Sequence, residues 1–171
     1  TRHADTYIAD RLRLDWSLVL ADRGDFTSFE REVGRMVWNT DDSQLRCYSI
    51  LARYRNSSGS QSDVVAREAR QMLANTRDSA GDGCLALTEA LLADERISVW
   101  ERVRALVEQN QLPTAKRIGA RALEARGKPV DQKLLTQAID RPAAFLTAHE
   151  RRLTEVQREL ATVAIVRLAR D

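Results

Sequence analysis

The sequence predicts an all-α fold, an irregular α-superhelix formed as a solenoid-like stack of about ten antiparallel helices. Three observations lead there. Apolar residues recur at intervals of three and four, which places them on one helical face, and no convincing strand alternation occurs. Only seven glycines and three prolines punctuate the 171 residues. Helix pairs recur at roughly 30 to 40 residues, close to the period of helical solenoids. The pairs share no sequence likeness, and the tetratricopeptide pattern of aromatics and glycines is missing. A compact orthogonal bundle is therefore the alternative packing.

Tyr7, Ile8, Leu12, Leu14, Trp16, Val19 and Leu20 mark a first helix that stops at Arg23-Gly24. Asp25 is placed to cap a shorter helix carrying Phe26, Phe29, Val33 and Val37. Asp41-Asp42-Ser43 opens a third helix with Leu45, Tyr48, Leu51 and Ala52. Asn56 to Ser60 reads as the clearest loop of the chain. Val64, Val65, Ala69, Met72 and Leu73 follow, then a break at Ser79 to Gly83, then Cys84, Leu87, Leu91 and Leu92.

The stretch from Ile97 to Ala125 is the most legible part. Ile97, Trp100, Val103, Leu106 and Val107 share a face, and Asn110-Gln111-Leu112-Pro113 breaks the pattern. Proline suits the start of the next helix, which carries Ala115, Ile118, Ala122 and Leu123 and ends towards Gly127 and Pro129. So short a turn predicts an antiparallel pair whose core is too small to stand alone. Beyond it lie a short helix from Val130 to Ile139, a turn of helix opened by Pro142 with Phe145 and Leu146, and a last helix with Leu153, Val156, Leu160, Val163, Ile165 and Leu168.

The chain is 43% hydrophobic and 30% charged, which suits an ordered helical protein and argues against disorder. Its 27 basic and 25 acidic residues are interspersed, so no charge block points to nucleic acid or a membrane surface. No apolar run reaches the length of a membrane span. The chain lacks an initial methionine and stops at Asp171 within a helical pattern, so it reads as a piece of a longer protein.

Chemistry is sparse. His149 is followed by Glu150-Arg151-Arg152-Leu153, without the second histidine of an H-E-x-x-H zinc site, and His3 stands alone, so no metal or cofactor site is expected. Gly81 and Gly83 do not fit a phosphate-cradling loop. Glu30, Glu32, Glu68, Glu101 and Glu108 sit among arginines at helical spacing, as on a solvated face, and no catalytic residue is assigned. Trp16, Trp38 and Trp100 invite sugar stacking, but Trp16 and Trp100 lie on apolar stripes and are expected to pack between helices. Arg96, Arg102 and Arg104 are expected to pair with nearby glutamates in water. Cys47 and Cys84 are 37 positions apart with no further ligand. They are two buried thiols in a reducing compartment, or in an oxidising one a bridge worth about 3 to 4 kcal/mol.

The stretch Asp42 to Tyr48 with Gly83-Cys84 resembles the soluble lytic murein transglycosylases of the Gram-negative periplasm. The likeness continues through Trp100 to Arg104, Leu112 to Arg117, Pro142 to Leu146 and Arg158 to Asp171, with Leu12 to Trp16 at the front. The order and spacing of these segments carry it, over essentially the whole chain. The resemblance implies that residues 1–171 belong to the N-terminal ring-forming superhelix. Its partners would be its own linker and lysozyme-like catalytic domains and, through the parent enzyme, peptidoglycan. The catalytic domain of that family cleaves the MurNAc–GlcNAc bond without water, to a 1,6-anhydro product, using a glutamate in a Glu-Ser motif followed by Gly-Leu-Met-Gln. Neither motif occurs here. The resemblance also implies a Cys47–Cys84 disulfide and a periplasmic location. A non-enzymatic helical-repeat module for protein interaction is the alternative function, and a nucleic-acid-binding repeat a weaker third.

Overall fold

The computed structural model describes residues 6–38, 41–75, 79–125, 127, 131–149 and 152–170. Among them are ten α-helices and no strand. They are α1 (Tyr7–Asp22), α2 (Phe26–Val33), α3 (Ser43–Asn56), α4 (Gly59–Asn75) and α5 (Asp82–Ala93), then α6 (Val99–Glu108), α7 (Leu112–Ala125), α8 (Asp131–Asp140), α9 (Pro142–Ala148) and α10 (Glu155–Arg170). The all-α expectation holds. The chain forms two compact units, Thr1–Arg96 and Ile97–Asp171.

Local chemistry sets the helix ends. Thr6, Asp25 and Asp42 each accept the backbone N–H three residues on, at 3.3, 3.0 and 2.8 Å, capping α1, α2 and α3. Thr154 and Gln157 form a reciprocal capping box before α10. Three helices end in the same left-handed device. After α1, Gly24 (φ 77°) lets the N–H of Asp25 reach the carbonyl of Leu20 at 2.9 Å. After α5, Glu95 (φ 53°) does so for Arg96 and Leu91, and after α6, Asn110 (φ 59°) for Gln111 and Leu106. These are Schellman closures, and they reverse the chain within two residues.

In the first unit α3 lies against α1, α4 and α5, and α1 also meets α2 and α5. The α3–α5 crossing is the tightest. A Cβ on Gly83 would stand 2.6 Å from the Gln44 carbonyl and 2.8 Å from the Tyr48 ring, so only glycine fits there. Leu14, Phe29, Leu51, Leu73, Leu87 and Leu91 fill the core. In the second unit α6 packs on α7, α7 on α8 and α8 on α9, and α10 returns over α6, α8 and α9. Gly119 of α7 lets Leu135 of α8 approach, since a Cβ would lie 2.7 Å from its side chain. Trp100, Val103, Leu106, Leu123, Phe145 and Leu160 are buried here.

Besides Ile97 and Leu153, which precede the helices expected to carry them (α6 from Val99, α10 from Glu155), three sequence expectations need correction. The segment from Asn56 to Ser60 is no loop of five: α3 runs to Asn56 and α4 starts at Gly59, leaving Ser57 and Ser58 between them. Ser57 closes α3 by donating from both its N–H and its hydroxyl to the Tyr54 carbonyl, and Gly59 (φ 55°) takes the turn. Helix α2 stops at Val33, so Val37 is not on it. The apolar stripe of α1 is the third. Ile8, Leu12 and Trp16 face solvent, whereas Asp10, Leu14, Ser17 and Leu20 are buried. Pro129 and Val130, expected to end one helix and begin the next, lie outside the described residues.

A non-glycine residue in left-handed conformation costs about 1 kcal/mol or more. Glu95 is exposed and left-handed, so Glu95→Gly is expected to stabilise the protein by roughly 0.5–1 kcal/mol. Urea unfolding followed by circular dichroism checks this. A lower midpoint would mean that the Glu95 side chain contributes more than its backbone strain costs.

Candidate functional site

The sequence singled out Cys47 and Cys84, and the fold joins them. Cys47 sits on the buried face of α3 and Cys84 in the first turn of α5, both fully buried, with Cα atoms 4.9 Å apart and sulfurs 2.05 Å apart. The packing explains why the two meet. Gly81 and Gly83 open the space that Gln44 and Tyr48 occupy. The Gln44 side chain then accepts the N–H of Cys84 at 3.2 Å. The start of α5 has no side-chain cap of its own. Gln44 therefore caps it from the neighbouring helix, at the N–H of the disulfide cysteine itself.

Beside this crossing, Leu18, Asp22, Gln44, Tyr48 and Asp82 surround a recess of about 260 Å³. Burial, helped by the charges of Asp22 and Asp82, pushes the Tyr48 phenol up to about 12. Such a phenol stays protonated at neutral pH, so it donates hydrogen bonds and is no general base.

A larger cleft, about 510 Å³, lies between α3 and α4. Leu45, Ile50 and Met72 supply apolar lining, and Ser49 turns its hydroxyl back to the Leu45 carbonyl at 2.9 Å. Two ion pairs stand around it: Arg46 to Asp41 at 3.3 Å, and Arg53 to Glu68 at 2.5 Å. Both arginine side chains remain about half exposed, at 55% and 50%. Elsewhere in this unit Tyr54 donates to Asp94 at 2.8 Å and Arg96 pairs with Asp63 at 2.5 Å, which fixes the end of α5 to α3 and α4.

The other candidates disperse. Trp100 is core, as expected, but Trp16 and Trp38 are half exposed, at 50% and 55%. Arg104 pairs with Glu159 of α10 at 2.5 Å, and Arg96 with an aspartate in place of a glutamate. Arg102 departs from the expectation altogether. It is buried, and burial pulls its guanidinium down to about 10, which still leaves it charged at neutral pH. Glu32 meets Arg31 and Arg35 on the surface of α2. His149 closes α9, its Nδ1 2.8 Å from the Phe145 carbonyl and its ring stacked on that phenylalanine. His3 lies outside the described residues. Among the described residues no three histidine, cysteine or carboxylate side chains converge as metal ligands would. No helix among them is long and apolar enough to cross a membrane.

Asp10 is the buried polar residue that sequence reasoning missed. It is 1% exposed and accepts the backbone N–H groups of Val37 and Trp38 at 2.8 and 2.7 Å and the Arg13 guanidinium at 2.5 Å. The bond from Trp38 does most to hold its carboxyl below the usual range. Desolvation opposes it, and Arg13 and Val37 add to it. Nothing in the local sequence signals this, because its partners lie 27 and 28 positions away.

Two outcomes follow from these contacts. Reducing the disulfide frees a 37-residue separation and is expected to cost about 4 kcal/mol in the chain-entropy model. The unreduced chain should block no thiol with iodoacetamide under denaturing conditions, and urea unfolding with and without reductant measures the loss. For Asp10, the folded-state pKa lies below the unfolded one. Its contribution is therefore present above the unfolded value, near 3.8, and disappears as pH falls through the lower folded value. Asp10→Asn should unfold at lower urea at pH 7 and differ less from the parent protein in strong acid. An equal difference at both pH values would remove the role assigned to the charge.

No family model matches this chain, and no curated protein or solved structure matches it.

Proposed function

We propose that this chain is part of the non-catalytic superhelical wall of a soluble lytic murein transglycosylase, exported to the periplasm. Its work is to hold a separate catalytic domain against peptidoglycan. The observation that carries the reading is the Cys47–Cys84 bond. It unites the two cysteines that the family resemblance pairs, and such a bridge persists in an oxidising compartment. In the first unit α1 packs on α3 and α3 on α5, as neighbouring repeats of a stacked array do, while α1 also meets α5. Surface carboxylates engaged by arginines suit a scaffold better than an active site. The half-exposed Trp16 and Trp38 offer aromatic faces for sugar rings.

A second reading, a protein-interaction module, is favoured by the exposed Ile8, Leu12 and Trp16 along one side of α1. Apolar side chains gathered on a surface mark contact sites.

Sedimentation with purified murein sacculi separates the two. The scaffold reading expects the oxidised chain to co-sediment, to release no 1,6-anhydro product, and to lose about threefold or more of its binding in Trp16→Ala with Trp38→Ala. Release of anhydro products would place the chemistry in this chain and overturn the reading. Failure to sediment, with a single periplasmic protein retained on the immobilised chain through Leu12 and Trp16, would favour the interaction module.

A further inference from the structure

The cleft between α3 and α4 sets two exposed ion pairs around an apolar lining. Each end carries one guanidinium and one carboxylate, Arg46 with Asp41 and Arg53 with Glu68, and aliphatic side chains lie between them. We propose that this cleft binds a short aliphatic peptide in extended form, about four residues long, with a free ammonium at one end and a free carboxylate at the other.

The spacing supports that length. Arg46 and Arg53 are seven residues apart on one helix, which is about 10.5 Å along its axis. An extended chain rises about 3.3 Å per residue, so three steps cover the same distance. The cleft volume, about 510 Å³, falls within the roughly 300–1,000 Å³ of small-ligand sites. Charge complementarity supports the zwitterion. A guanidinium has five N–H donors, so each arginine held by one carboxylate can still receive a second. Asp41 and Glu68, at 89% and 48% exposure, can likewise be reached by an ammonium. The existing pairs are exposed, and such pairs contribute about 1 kcal/mol or less, so a ligand can share them at little cost. A ligand with only negative charge would meet Asp41 or Glu68 at each end.

The proposal does not depend on the murein reading, because it concerns free peptides and is tested with them. The probe is tetra-alanine with free termini, titrated into ¹⁵N-labelled oxidised protein and followed by amide shifts. Shifts are expected at Leu45, Arg46, Ile50, Arg53 and Met72. Capping the peptide as its N-acetyl amide should weaken binding about threefold to tenfold, as should Arg46→Met or Arg53→Met. Both variants replace exposed side chains and should keep the parent helical circular dichroism. Arg70→Met, an exposed arginine of α4 that does not line the cleft, should change nothing. Equal binding of the capped peptide, or no cleft shift up to about 20 mM, would overturn the proposal.

Discussion

The α3–α5 crossing is the constraint on which the first unit depends. Two helices approach so closely there that the backbone of one occupies the place of a side chain on the other. Gly83 makes this possible, Gln44 satisfies the N–H of Cys84 at the start of α5, and the disulfide keeps the approach from reopening. These features are mutually dependent. Without the glycine the helices would part, and the sulfurs of Cys47 and Cys84 could not meet. Without Gln44 the start of α5 would bury an amide with no acceptor, at a cost of about 1–3 kcal/mol.

The second unit reaches a comparable result by different means. It has no covalent bridge among its described residues, and its order comes from α10 returning across α6, α8 and α9. Val156, Leu160, Val163 and Ala164 supply the buried side of that helix. The Arg104–Glu159 pair links α10 to α6. Leu135 seated against Gly119 brings α8 close to α7. Small residues at crossings and a returning helix do in this unit what the sulfur bridge does in the other.

The charged surface follows from this design. Helices buried on one side leave arginines and carboxylates on the other, at spacings where they pair locally or across one turn. Arg35 with Glu32 is of this kind, whereas Lys116 with Asp140 joins α7 to α8. Among the described residues the Asp10–Arg13 pair is the most enclosed of these, and Asp10 there is engaged by backbone amides. The α3–α4 cleft differs in setting two pairs around an aliphatic floor.

The ten helices, their caps at Asp25 and Asp42, and the turn at Asn110 were legible in the sequence, because each rests on residues a few positions apart. So was the placement of Trp100 in the core. The bond between Cys47 and Cys84 was left open by the residues and came only with the family resemblance. What local reading could not decide was which side of α1 turns inward. Of the seven apolar residues that mark it, Leu14 and Leu20 are buried, and Tyr7, Ile8, Leu12, Trp16 and Val19 are exposed. The tertiary structure buries Asp10 and Ser17 with Leu14 and Leu20. The physical reason is that Asp10 accepts two amides from a segment nearly thirty residues away. Apolar periodicity says that a helix forms. The orientation of that helix is set by partners that only the folded chain brings within reach.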